Sequence, residues 1–92
     1  MHLEIVSPEA TLFSGEVESV IVPGTSGSFQ MLNNHAPIVS TLKEGTVIIS
    51  GKMELDDTVQ NKFNKQDNNT TLFEISSGTV EMKNNKLILL AD

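Results

Sequence analysis

Phe73-Glu74-Ile75-Ser76-Ser77-Gly78-Thr79-Val80-Glu81-Met82-Lys83 carries the clearest pattern in the chain. Phe73, Ile75, Val80 and Met82 fall on one side of a two-residue period, and Glu74, Thr79, Glu81 and Lys83 fall on the other. Successive side chains of a β-strand point to opposite faces, so the stretch predicts strands with one dry and one wet face, broken by Ser77-Gly78. Outward from there, short runs of strand length and β-branched content recur at Leu3 to Val6, Val17 to Val22, Ile38 to Leu42, Val47 to Ile49, Leu72 to Ile75 and Leu87 to Leu90. Ser7-Pro8, Ser14-Gly15, Pro23-Gly24, Gly27, Lys43-Glu44-Gly45 and Asn84-Asn85 separate them and read as turns. Many short strands without a long helical pattern imply an all-β chain folded as a sandwich or barrel.

The length of 92 residues fits a single domain. No apolar run is long enough to span a bilayer, and Met1-His2-Leu3-Glu4 lacks the basic and then apolar start of a signal peptide, so a soluble intracellular product is expected. Cysteine is absent, which removes disulfides and thiolate metal sites and leaves His2 and His35 as the imidazoles available to a metal or to proton transfer. A formal charge of −6 with no arginine speaks against nucleic acid, whose binding needs clustered cations, and against anionic lipid. Without Trp or Tyr, there is little material for stacking platforms of sugar or single-strand binders.

Met53 to Thr71 interrupts the rhythm with Asp, Asn, Lys and Gln around the isolated apolar residues Leu55, Val59 and Phe63. Composition favours an extended hairpin or loop, and the four-residue spacing leaves a short amphipathic helix capped by Asp56 or Asp57 as the competing reading.

Catalytic chemistry finds no foothold. His35 lies in Asn33-Asn34-His35-Ala36-Pro37 with no nucleophile motif beside it and reads as a turn histidine. Gly24-Thr25-Ser26-Gly27-Ser28 lacks the Lys-Ser/Thr ending of a phosphate loop and reads as a turn. The carboxylate pairs Asp56-Asp57 and Glu16/Glu18 read as solvated charges. No catalytic residue, cofactor or metal ligand is therefore assigned. What stands out is the apolar cluster in Phe29-Gln30-Met31-Leu32, inside a stretch otherwise punctuated as loop. Such residues either fold back into the core or mark a contact surface; Phe29 is the better core candidate, Met31 and Leu32 the better contact candidates.

Several segments taken together resemble a known family. Leu3-Glu4-Ile5-Val6-Ser7-Pro8-Glu9, Leu12-Phe13-Ser14-Gly15-Glu16-Val17, Val20-Ile21-Val22-Pro23-Gly24 and His35-Ala36-Pro37 are similar, in order and spacing, to the opening of the epsilon subunit of F-type ATP synthases. Ile75-Ser76-Ser77-Gly78-Thr79-Val80-Glu81 and Leu89-Leu90-Ala91-Asp92 resemble two motifs near the end of its β-sandwich domain. The resemblance implies a flattened antiparallel β-sandwich of two sheets with about ten short strands. It implies a non-catalytic rotor part that binds the gamma subunit and the ring of c subunits, acts on the alpha/beta catalytic hexamer indirectly, and helps couple proton flow to ATP synthesis. Such a part would be peripheral, held through the complex at the cytoplasmic face of a bacterial plasma membrane. Family contacts with the c ring map to Ser28, Phe29, Gln30, Met31, Leu32 and His35.

Departures from the family pattern are local. In place of G-E-F-G and L-P-G-H-A-P the chain has Gly27-Ser28-Phe29-Gln30 and Leu32-Asn33-Asn34-His35-Ala36-Pro37. Asn34 can take the left-handed conformation that Gly would supply, whereas losing the proline at Asn33 should loosen the turn. The chain ends at Asp92, so a short form is expected, without the family's C-terminal helical hairpin and its inhibition of hydrolysis or ATP binding. A polar insertion over about 52–71 is expected either to float in solvent or to touch gamma or the stator. A free-standing β-sandwich interaction module is the alternative function.

Overall fold

The computed structural model describes all 92 residues, Met1–Asp92. Ten strands form in chain order: β1 His2–Val6, β2 Thr11–Glu16, β3 Ser19–Gly24, β4 Gly27–Leu32, β5 Ile38–Leu42, β6 Gly45–Ser50, β7 Asn64–Asp67, β8 Thr70–Ile75, β9 Gly78–Lys83 and β10 Lys86–Ala91. One layer runs β2-β1-β10-β9-β5 and the other β4-β3-β6-β8-β7, and the hydrogen-bond ladder is continuous between them through β5 and β3. The expected sandwich is present, as a single curled ladder folded over its own core. Antiparallel pairing prevails, with one exception. The first and last strands, β1 and β10, pair in parallel from His2↔Lys86 to Val6↔Leu90, which the long intervening chain permits.

The alternation read from the sequence is the burial pattern observed. Phe73, Ile75, Val80 and Met82 are buried, while Glu74, Thr79, Glu81 and Lys83 are exposed. Ser76-Ser77, however, does not close a hairpin: β8 pairs with β6 and β9 pairs with β10 and β5, so this turn carries the chain from one layer to the other. Both strands therefore point their apolar residues into the same core from opposite sides. Leu3, Ile5, Val20, Val22, Val47, Ile49, Leu87 and Leu89 complete that core at essentially no exposure. Each such side chain contributes roughly 1.5–3 kcal/mol by leaving water.

Two expectations are corrected here. Ser14-Gly15, read as a turn, lies within β2, where Ser14 pairs with Glu4 and Gly15 with Leu3; with Leu12 and Phe13 buried beside it, tertiary packing decides the conformation. The segment after β6 follows the loop-and-hairpin reading rather than the helical one, ending in the β7–β8 hairpin, but its apolar residues do not float in solvent. Met53 and Val59 are buried, and Leu55 and Phe63 pack against the core. Phe63 stacks on Phe73 with ring centroids 4.8 Å apart. Lys52 and Glu54 line a depression together with Phe13 to Glu16, so the segment runs beside the edge of β2 and covers the open side of the sandwich. Its turn is set by Asp56, whose carboxylate accepts from the Thr58 N–H at 2.9 Å and the Thr58 hydroxyl at 2.8 Å. Those bonds, the backbone one foremost, hold the Asp56 carboxyl below its ordinary range. A single 3-10 turn at Gln60–Lys62 follows, and β7 then returns as a hairpin with β8. With Val59 and Phe63 spent on the core, the motive for a contact of this segment with gamma or a stator disappears.

Candidate contact site

The candidate residues sit on β4 and the turn that follows it. β3 leads into β4 through a tight connection at Thr25-Ser26, with Gly24 opposite Gly27. A Cβ on Gly24 would lie 2.7 Å from the Gly27 carbonyl oxygen and 2.9 Å from the Phe29 ring, so only glycine lets this hairpin close. Gly27 has φ +132, also glycine territory. The residues from Gly27 to Leu32, expected as a loop, therefore form a regular edge strand in register with β3, from Ser19↔Leu32 to Gly24↔Gly27.

Strand geometry divides the candidates by parity. Phe29 and Met31 point inward: Phe29 is half-buried against the core, and Met31 is 0% exposed opposite Val20. Met31 was the better contact candidate by side-chain type; the structure makes it a core anchor, because the two-residue period of β4 puts it on Phe29's face. Ser28 and Gln30 are exposed, and Leu32 is 55% exposed, an unusual setting for a leucine. Beyond β4, His35 is half-buried. Its Nδ1 lies 2.7 Å from the Ala36 carbonyl oxygen, an acceptor only, so Nδ1 donates there and Nε2 has no partner within the chain.

The turn between β4 and β5 is tied at several points. The Asn34 N–H donates to Asn85 Oδ1 at 2.7 Å, and the His35 N–H donates to the Leu32 carbonyl at 3.1 Å. The Met1 amine donates to Asn33 Oδ1 and, at 3.2 Å, to the Val17 carbonyl. Asn34 has φ 61, the conformation expected of it. Where the family pattern has proline, Asn33 is a hydrogen-bonded member of the turn through its side chain. Asn84 and Asn85, at φ 52 and 59, close β9 onto β10 beside it. Sequence reading named Asn33 and Asn84-Asn85 only as turn residues and did not anticipate that the two turns bond to each other; the repeated Asn-Asn pair was the available signal. Exposed Val39, at 74%, was likewise missed although its alternation with buried Leu42 could have shown it.

On the neighbouring outer face, His2 bridges β1 and β2. Its Nδ1 is 3.3 Å from the Glu16 carboxylate and its Nε2 3.2 Å from Ser14 Oγ. The order of groups resembles a serine triad, but all three lie on an open strand surface, where water competes for every bond, and the string acts as a cross-strand tie. Nearby, Lys86 Nζ is 2.8 Å from Glu4 Oε1. That hydrogen bond, and then the Lys86 charge, hold the Glu4 carboxyl below its usual range.

Residues 1–92 match the family described as ATP synthase, Delta/Epsilon chain, beta-sandwich domain. The chain belongs to this family. Among curated relatives, the ATP synthase epsilon chain of Chlorobaculum tepidum is 40% identical over 90 residues, covering 98% of this chain and 86% of the relative. That of Caulobacter vibrioides is 36% identical over 92 residues, covering 100% and 90%. The epsilon chain of Campylobacter curvus is also 36% identical over 92 residues, but the chain spans only 60% of it. The fold is similar to a chain in the Tetrahymena thermophila mitochondrial ATP synthase central stalk and c-ring structure, with a TM-score of 0.68 at 14% identity, covering 99% of this chain and 62% of that one. A chain of the Euglena gracilis mitochondrial ATP synthase gives 0.73 at 13% identity, covering 97% and 48%. The delta/epsilon family thus accounts for the whole described length, including the 52–71 segment that the motif resemblance left out.

Proposed function

We propose that this delta/epsilon-type chain is a non-catalytic rotor subunit of an F-type ATP synthase, binding the gamma subunit and the c ring and passing torque between proton flow and the alpha/beta hexamer. It is peripheral, held through the complex on the cytoplasmic face of a bacterial plasma membrane. The observation that carries the reading is the collinear family match over residues 1–92. The end bearing Ser28, Gln30, Leu32 and His35 supports the c-ring part of it: three outward side chains stand on a rigid strand, and an imidazole with a free Nε2 stands on a turn tied to its neighbours. Contact with c subunits falls to these four residues, while Phe29 and Met31 hold the strand from behind.

The test is affinity capture of the tagged chain from detergent-solubilised membranes of its own organism, with mass spectrometry of co-purifying proteins. Gamma, the catalytic subunits and c subunits are expected together, and single cysteines at Ser28 or Leu32 should cross-link to c while one at Thr79 should not. Capture of none of these from a preparation containing intact synthase would overturn the proposal in favour of a free-standing interaction module.

A further inference from the structure

From Ser19 to Leu42 the chain contains no Asp, Glu, Lys or Arg, although the whole carries a formal charge of −6. This stretch builds β3, β4 and β5, so one flank of the sandwich is free of ionised side chains. The outer edge of β4 lies on that flank, since β4 pairs with β3 alone. Sheet edges are ordinarily guarded by charge, proline, bulges or a covering segment. At the other end of the same layer, β7 is guarded by Lys65 and Asp67 and by a register shift. β2 ends in Glu16 and has Lys52 and Glu54 alongside. β4 carries no charged residue, no proline and no bulge, and no further strand pairs with it.

The backbone orientation of β4 follows from its neighbours. The Lys43 N–H donates to the Pro23 carbonyl at 2.9 Å and the Thr25 N–H to the Thr41 carbonyl at 3.1 Å. Pro23 and Thr25 thus address β5, and by alternation Val20, Val22 and Gly24 address β4, bonding Met31, Phe29 and Gly27 opposite them. Ser28 and Gln30 then turn their N–H and C=O groups to the free edge.

We infer that this edge is a self-pairing site: two copies of the chain join β4 to β4 in antiparallel fashion about a two-fold axis at Phe29. Ser28 of each copy lies opposite Gln30 of the other, which satisfies the outward groups with about four ladder hydrogen bonds. The two half-buried Phe29 rings meet as a cross-strand pair on the inner face. Self-pairing suits this flank because copies of net charge −6 repel one another, and pairing along β4 buries no ionised side chain of β3, β4 or β5. The interface is isologous, so it closes at two copies and does not propagate. It uses the strand that carries Ser28, Gln30 and Leu32, so a paired chain cannot present them to another protein.

Sedimentation of the full chain over a micromolar-to-millimolar range at physiological salt tests this. The expected mass rises with concentration from the 10.0 kDa monomer toward twice that value. Gln30→Pro removes an N–H that serves only the dimer and leaves the β3 ladder intact, so it should weaken self-association about tenfold or more with an unchanged far-UV spectrum. Gln30→Glu, nearly isosteric, adds a carboxylate beside the axis and should weaken it in a manner relieved by salt, whereas Thr79→Glu on β9 adds the same charge without that effect. A monomer at every concentration overturns the inference, as does a folded Gln30→Pro variant that associates like the unmodified chain.

Discussion

Met31 and Leu32 are neighbours in sequence with opposite environments, 0% and 55% exposed, so truncating each in turn measures the geometry of β4. Met31→Ala deletes the thioether arm from a closed core and should cost about 3 kcal/mol, within the ~2–5 kcal/mol usual for buried large-to-alanine changes. The whole domain, at ~0.05–0.15 kcal/mol per residue, holds only about 5–14 kcal/mol, so the loss is a large share of it. At ~4–8 °C per kcal/mol the midpoint should fall by roughly 12–24 °C. Leu32→Ala removes a side chain already half in water and should cost about 1 kcal/mol or less. The chain lacks Trp and Tyr, so far-UV circular dichroism or calorimetry is the suitable probe. If Leu32→Ala proves as damaging as Met31→Ala, the Val20↔Met31 register is off by one residue and the two faces of β4 are exchanged, which would refute the division of the candidate contacts.

Phe63→Ala should cost about 2 kcal/mol in urea unfolding, because it removes a ring stacked on Phe73 over the core; a neutral result would return the segment to the role of a solvated insertion. Asn34→Gly should leave stability within about 0.5 kcal/mol, whereas Asn34→Val at the same φ of 61 should lose about 1–2 kcal/mol in thermal unfolding. Glu4, held low by Lys86, binds its proton more readily unfolded than folded, so its contribution is present above the ordinary carboxylate range and is lost as pH falls through the lowered folded value. Melting temperature against pH should accordingly drop less steeply on acidification in Lys86→Gln, and parallel curves would exclude the pair as a source of acid sensitivity.

Where sequence and structure agree, one physical rule sufficed. Phe73, Ile75, Val80 and Met82 alternate because their strands have one wet face, and the same pattern is visible without any fold. The parallel β1–β10 pair was not legible, since it joins the two ends of the chain and leaves no local signal. Ser14-Gly15 read as a turn by residue type and became strand because Leu12 and Phe13 beside it are buried. Met31 was misassigned by the opposite error, weighing methionine's adaptability above its parity with Phe29. The 52–63 segment was hardest, as Met53, Leu55, Val59 and Phe63 follow the shape of a gap between two layers, and a gap has no period.

That closure bears on the proposed role. A part that turns with its neighbours must pass load between its faces without shearing, and two stacked sheets joined only by side chains resist shear poorly at their open sides. Here β3 bonds to β6 through Ser19 to Ile21 and to β5 at Gly24, so the strand next to β4 belongs to both layers. Force arriving at Ser28, Gln30 or Leu32 enters β4, crosses the ladder to β3, and divides between the layers through hydrogen bonds. On the far side no such shared strand exists, and the apolar residues of 53–63 fill that place. The stiffness of the β4 end, the contact end in the proposed role, therefore depends on backbone pairing and that of the opposite side on packing. Mild denaturant should thus release amide protection in the 52–67 region before it reaches β3 and β4.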